Sequence, residues 1–289
     1  MLIEEINSLF LLRKFIARVV FIYLLAMLIY FYLHNSLVHQ WQQPILIYPE
    51  ADNVYWLLHI LNVPQTIMRS GWISLVFDLA MILSTFLFIL FPEKTVFAFI
   101  SVICLWLFQL MFGSANGHHY AHVGFLIAPL PFIFLDPKKF FFSWHIARYW
   151  ILFLFVCGGI YKIYYGGFFQ QENMSIILKS TYTVANEGRS KIILYLIEHP
   201  KLSQLFYQAA AVLELSCIIG FITRKKDNWI FLILLSFNLG NYLMMNIPFW
   251  ENGMASLLFL PWNKLYYQFQ SVFNKSQTPV LSFGKDPDN

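Results

Sequence analysis

The chain has 289 residues, of which 59% are hydrophobic, 19% aromatic and only 12% charged, with a mean hydropathy of +0.61. Soluble globular domains are about 45–50% apolar and about 25% charged, so the composition excludes an ordinary soluble domain and describes a polytopic membrane protein. The net charge of +4 is spread over short loops without a basic block, which argues against nucleic acid as a partner.

A bilayer-crossing helix needs an apolar stretch of about 17–25 residues. In chain order such stretches occupy residues 15–33, 72–91, 95–113, 120–135, 146–165, 205–223 and 229–247, with a short eighth at 249–262. The first is flanked by Arg13, Lys14 and Arg18 and is followed by no small-residue cleavage site. It reads as a retained span rather than a signal peptide. Lys94, Lys138, Lys139, Arg148, Arg224, Lys225, Lys226 and Lys264 then fall on the same side as Arg13 and Lys14 if the spans number eight. The excess of basic residues marks that side as cytoplasmic. The expected fold is therefore an all-α, polytopic helical bundle with about eight transmembrane helices, both termini cytoplasmic, in a single transmembrane domain over residues 1–273. The polar tail 274–289, with Pro279 and Pro287, is expected to be disordered.

Two segments on the outer side are long. Residues 34–71 contain VYWLLHIL at 54–61, and residues 166–204 contain KIILYLIEH at 191–199; both have the pattern of a short interfacial helix. Segments of this length often cap a functional site. Cys104, Cys157 and Cys217 all sit in apolar runs without a CxxC spacing, so they read as small hydrophobes.

Ionisable and amide groups within the spans are the candidate site. The stretch FVCGGIYKIYYGG at 155–167 places Lys162 three residues from the outer end of its span, about 5 Å deep at ~1.5 Å per residue. Asp78 lies about 9 Å below the outer end of the second span by the same count. Glu214 is near the middle of the sixth span, and Asn238 and Asn241 share a face of the seventh. SANGHHYAH at 114–122 groups His118, His119 and His122 at the outer mouth of the fourth.

Each group has two readings. Lys162 either snorkels to the interface or belongs to a site. Asp78 pairs locally, with Arg69 or Lys162 as candidates, or lines the site. Glu214 is too deep to snorkel and is either a buried hydrogen-bonded group or a functional one. The two asparagines serve as interhelical glue or as ligands, and the histidines as interfacial residues or as ligands. No acid or cysteine completes a metal set with the histidines, so no metal is expected. If the groups share one cavity, a lysine beside Gly158 and Gly159 could act on a flat ligand that approaches the backbone closely. Burial penalises the charged amine, and a neutral amine is a competent general base. A neighbouring histidine or amide could then hold an oxyanion.

At these residues the chain resembles a known family. CGGIYKIYYGGF at 157–168 resembles the lysine stretch of the vitamin K-dependent γ-glutamyl carboxylases and their bacterial relatives, the horizontally transferred transmembrane (HTTM) domain proteins. NGHHY at 116–120 looks like the family's Asn–x–His–x–Tyr element. AVLELSCIIGF at 211–221 resembles its span with a central glutamate, and SFNLGNYLMMNIPFWENGMASLLF at 236–259 its Phe–His–x–x–Asn segment and Phe–Pro turn. FLIAPLPFIFLDPKK at 125–139 is also similar to the HTTM-type membrane subunit of SDP toxin-peptide maturation.

The resemblance implies Lys162 as a catalytic base with His118 as its partner. Asn116 would contact the ligand beside His118, Glu214, Asn238 and Asn241 fall on the family's motifs, and His119, His122 and Asp78, candidates by their depth, would complete the lining of the ligand site. It implies a reduced, vitamin K-like quinone as cofactor and carboxylase/epoxidase-like chemistry of the lyase class. Implied partners are membrane lipid and either a secreted peptide or a partner maturation subunit, in the bacterial cytoplasmic (inner) membrane. The alternative is a non-catalytic, accessory membrane subunit for peptide maturation or export. Two departures stand out. Asn238 occupies the place of the family's histidine, and the carboxylases continue into a long C-terminal lumenal region after the spans, so carboxylation of a peptide by this chain alone is not expected.

Overall fold

The structure is a computed structural model and describes residues 2–41, 60–115, 126–182, 190–245 and 250–273. The helices are α1 (Leu2–Leu33), α2 (Val63–Met68), α3 (Gly71–Leu90), α4 (Thr95–Ala115), α5 (Pro137–Tyr164), α6 (Asn173–Tyr182), α7 (Ser190–Glu198), α8 (Pro200–Ser216), α9 (Ile219–Ile222), α10 (Asp227–Met245), α11 (Trp250–Ser256) and α12 (Trp262–Phe273). There is no strand among the described residues, and the molecule is an all-α bundle. Among the described residues, five helical segments are long and apolar enough to cross a membrane: Ile6–Gln40, Gly71–Leu90, Thr95–Phe112, Pro137–Tyr164 and Pro200–Ile222. Residues 42–59, 116–125, 183–189, 246–249 and 274–289 lie outside the described residues. With them lie Asn116, His118, His119, His122, most of the 54–61 segment and the polar tail.

α1 is the central post, 32 residues and so about 48 Å long at ~1.5 Å per residue. Ile16, Ala17, Val20, Phe21, Leu24, Met27 and Leu28 are buried along it, at the i, i+3, i+4 spacing of one helix face. Phe21 packs against Phe88 of α3 and Phe132, with ring centroids 4.4 and 5.5 Å apart. Residues on the outside of the bundle are apolar too: Ile22, Ile29, Leu79, Leu83, Phe99, Phe153 and Val212 are all exposed. A helix apolar on every side suits lipid, not water.

Two stretches expected to be spans are not continuous helices. The described part of the 120–135 stretch is a turn followed by a 3-10 segment at Leu130–Ile133. Pro129 and Pro131 explain this, because proline removes an N–H and clashes with the preceding turn. The 249–262 stretch divides into the seven-residue α11 and a 3-10 turn at Leu257–Phe259, with Pro261 after it. α8 likewise gives way at Cys217 before the short α9. Non-helical backbone is tolerated at membrane depth only inside protein, and the first two of these stretches have residues well inside: Leu126, Ala128, Phe132, Leu258 and Phe259 are at most 3% exposed. Of the remaining helices, α3, α4 and α10 lie within two residues of expectation, whereas α1 starts at Leu2, α8 at Pro200 and α5 at Pro137, the last capped by the Asp136 carboxylate on the Lys138 N–H at 2.9 Å.

The freed carbonyls need donors. Arg13 supplies them. Its guanidinium is fully buried and donates to the carbonyls of Phe134 (2.9 Å), Pro92 (2.9 Å) and Phe132 (3.1 Å). One side chain of α1 thereby ties down both the α3–α4 turn and the irregular return into α5. Arg148, 2% exposed, repeats the device on the other side of the same end. It forms a forked pair with Asp227 (3.1 and 2.5 Å) and donates to the Gly220 carbonyl at 2.9 Å. This basic end also carries Lys14, Lys138, Lys139, Arg224 and α12, whose Trp262, Tyr266 and Phe269 pack on Phe15. At the opposite end, α6 and α7 close over α8 through a small second core of Met174, Leu178, Ile193 and Leu196.

Arg13→Leu strips donors from three buried carbonyls at once. Each orphaned group costs about 1–3 kcal/mol, so the variant is expected to lose at least ~3 kcal/mol of stability in detergent unfolding titrations. A loss below ~1 kcal/mol would show that the return segment does not depend on Arg13.

Candidate functional site

The expected site residues that are described separate into three groups. The first is Lys162 and Glu214. Lys162 is in the last turn of α5 and Glu214 is near the C-terminus of α8. Lys162 Nζ donates to Glu214 Oε1 in a buried ion pair, with side chains 19% and 6% exposed. The depths counted along the sequence differ, and side-chain direction reconciles them. Helical side chains lean toward the N-terminus of their own helix. α5 runs away from the basic end, so Lys162 leans into the bundle. α8 runs the other way, so Glu214 leans out to meet it. Lys162 is thus neither snorkelling nor alone.

The close approach that permits this contact comes from the glycines. A Cβ at Gly159 would stand 2.8 Å from Leu215 Cγ and 3.1 Å from the Ala211 carbonyl, so any side chain would part α5 from α8. At Gly158 a Cβ would meet the Glu214 carboxylate at 3.5 Å. The second carboxylate oxygen, Oε2, is buried with no hydrogen-bond partner among the described residues. Two rings complete the surroundings of the amine: Phe237 of α10 at 5.5 Å and Tyr207 of α8 at 5.9 Å from centroid to Nζ. Tyr207 and Glu214 are seven residues apart and share a face of α8. Above them, Gln204 Nε2 donates to the Gly167 and Phe168 carbonyls (2.8 and 3.0 Å), and Gln208 Nε2 to that of Phe168 (2.9 Å). These bonds fasten the turn after α5 to α8 and hold Lys162 in place.

The second group is Asp78. It is 1% exposed, and its partner is neither Arg69 nor Lys162 but His39, from the 3-10 turn after α1. Asp78 Oδ2 accepts from the His39 backbone N–H at 2.9 Å and faces its Nδ1 at 2.8 Å. Asp78 therefore anchors the chain leaving α1 to α3. The third group is on α10. Asn238 is half-buried with an Oδ1 that has no partner among the described residues, and its Nδ2 abuts Gly253 of α11. Asn241 is half-buried. Asn238 follows Phe237, so α10 presents a ring to Lys162 and, one residue on, an amide to α11.

Sequence reasoning overlooked Glu251, which lies within the eighth apolar stretch and met the same criterion as Glu214. It also overlooked His39, Gln109 and Tyr207. Nothing in their local pattern distinguishes these three; only the folded chain brings them to a carboxylate or an amine. The described residues contain no group of three or more His, Cys, Asp or Glu side chains placed to hold a metal.

No protein-family model, curated protein or solved structure matches the chain.

The Lys162–Glu214 pair makes a clear energetic prediction. Removing one member of a buried pair leaves the other charge unpartnered and costs about 3–5 kcal/mol, whereas replacing both by apolar groups is far milder. Lys162→Met and Glu214→Leu are each expected to destabilise the protein more than the double variant does, by unfolding titration in micelles. Strict additivity of the two losses would mean that the pair is not coupled.

Proposed function

We propose that the protein is an HTTM-type membrane enzyme of the bacterial inner membrane, in which the Lys162–Glu214 pair handles a proton on a lipophilic, quinol-type ligand. The observation that carries this reading is the pair itself: an amine and a carboxylate buried together, with a free carboxylate oxygen facing a backbone kept bare by Gly158. The eight-crossing topology with cytoplasmic termini belongs to the same proposal. It is supported by the basic residues gathered at one end and by the number of apolar stretches, since the five full-length segments, α10 and the two irregular stretches make eight.

The residues present suit a flat ligand with a polar edge. Phe237 and Tyr207 offer ring faces, Glu214 Oε2 is an acceptor without a donor among the described residues, and a ligand edge would enter at the methyl-sized gap beside Gly158, where a Cβ would meet the carboxylate at 3.5 Å. A quinol supplies a weakly acidic hydroxyl. The chain supplies a base that can change state without adding net charge to a low-dielectric interior. Transfer of one proton from Lys162 Nζ to Glu214 turns the ion pair into a neutral amine and a neutral acid. The amine then takes the hydroxyl proton at Nζ and becomes an ammonium beside the anion it has generated. Total charge is zero at each stage, which avoids the large desolvation penalty of a lone buried ion. Glu214 thus sets the protonation state of Lys162, and the Gln204 and Gln208 contacts fix its position.

One observation favours a second reading, the accessory membrane subunit. The α5–α8 contact at Gly159 and the ion pair together form a complete helix clasp, which needs no ligand.

Lys162→Gln separates the two. Glutamine still donates a hydrogen bond to Glu214 but cannot accept a proton. Protein in lipid nanodiscs is to be incubated anaerobically with a reduced naphthoquinone, and its binding and its ionisation to the quinolate followed by absorbance. The wild-type protein is expected to bind and ionise the probe, and folded Lys162→Gln to bind without ionising it. Equal ionisation by both overturns the base assignment, and no binding by the wild type favours the accessory reading.

A further inference from the structure

α11 carries a second carboxyl into the bundle. Glu251 is 4% exposed, and its Oε1 accepts a hydrogen bond from Gln109 Nε2 of α4 at 2.6 Å. No basic side chain among the described residues pairs with it; the ion pairs join Lys14 to Glu93, Arg148 to Asp227 and Lys162 to Glu214, and His39 is hydrogen-bonded to Asp78. The elements packed on α11 are α10, α1 and the Leu257–Phe259 turn, with α4 reaching it through Gln109. From α1 comes Tyr23, whose hydroxyl donates to the Trp250 carbonyl at 2.8 Å. α10 contributes Asn238, and the turn contributes Leu257, Leu258 and Phe259. Tyr23 and Tyr30, whose ring centroid lies 5.0 Å from that of Trp250, are the titratable groups that α1 turns to α11 among the described residues, and both are neutral in ordinary water at neutral pH.

A carboxylate whose donors are both neutral, the Gln109 amide and its own backbone N–H, with no cation beside it among the described residues, is an unfavourable way to bury this side chain. Adding a proton removes the charge and creates an O–H donor. Of the neighbouring amides, Asn252 of α11, 4% exposed, and Asn238 of α10 each hold a buried Oδ1 without a partner among the described residues.

We infer that Glu251 is a proton-binding site in the bundle interior, separate from the Lys162–Glu214 pair, that holds H⁺ as a neutral carboxylic acid with Gln109 as its hydrogen-bonding partner. The binding step is the transfer of one proton from hydronium to the carboxylate, giving the acid and water, with no other bond changed. The site goes beyond the reading of Lys162 and does not depend on it.

Infrared spectroscopy of the full-length protein in lipid nanodiscs reads the protonation state directly. At neutral pH the difference between wild type and Glu251→Gln is expected to show loss of one carboxylic-acid C=O band and no change in the carboxylate bands. The same band is expected to remain in the Lys162→Met/Glu214→Leu double variant, which isolates the result from the fate of the first site. Loss of carboxylate bands in Glu251→Gln overturns the inference, as does removal of the acid band by sodium chloride at constant pH, which would make the site a sodium site. Should Glu251→Gln not fold, Gln109→Leu decides. Loss of its hydrogen bond is expected to shift the acid band alone, and a shift confined to the carboxylate bands overturns the inference.

Discussion

The bundle depends on a charge placed where a charge is expensive. Arg13 is wholly buried, yet it is held there by three backbone carbonyls that would otherwise have no donor. Each side of this contact needs the other. Without the carbonyls, the guanidinium would be an uncompensated ion in an apolar core. Without the guanidinium, the proline-broken stretch between α4 and α5 could not stay inside the bundle, since irregular backbone at membrane depth must be satisfied by protein. α1, the α3–α4 turn and the start of α5 are located by this one side chain. Arg148 does the same for α8–α9 and the start of α10 through Asp227 and Gly220.

With the basic end so fixed, the opposite end is free to hold polar groups in particular company. α5 and α8 run in opposite senses and touch across Gly159, so Lys162 and Glu214 lean toward each other and meet inside the bundle. Asp78 is occupied with the chain leaving α1. Among the described residues, the one side chain that Glu251 meets by hydrogen bond is the neutral amide of Gln109. Four acidic or basic side chains in apolar surroundings thus fall into three different electrostatic situations: an ion pair, a carboxylate bound to a histidine and its backbone N–H, and a lone carboxyl. That difference, more than the number of polar groups, is what gives the interior distinct chemical sites.

The sequence alone determined that this is an all-α membrane protein, where its long helices run and which residues break the apolar pattern, because hydropathy over about 20 residues and the penalty for burying a charge are local properties of the chain. α3 and α4 lie within two residues of the stretches read from hydropathy. The polar candidates were legible for the same reason, and Glu251 was as legible as Glu214. Tertiary structure alone decided who meets whom. Lys162 and Glu214 are 52 residues apart, Asp78 and His39 39, Gln109 and Glu251 142, Arg13 and Phe134 121. Hydropathy carries no signal for such pairings; they follow from helix direction, from glycine-permitted contact and from where prolines release carbonyls that a distant side chain must satisfy. The same physics converts two of the expected spans into buried, irregular returns: apolar composition specifies that a stretch is inside, while its hydrogen-bond partners specify whether it can be there without being a helix.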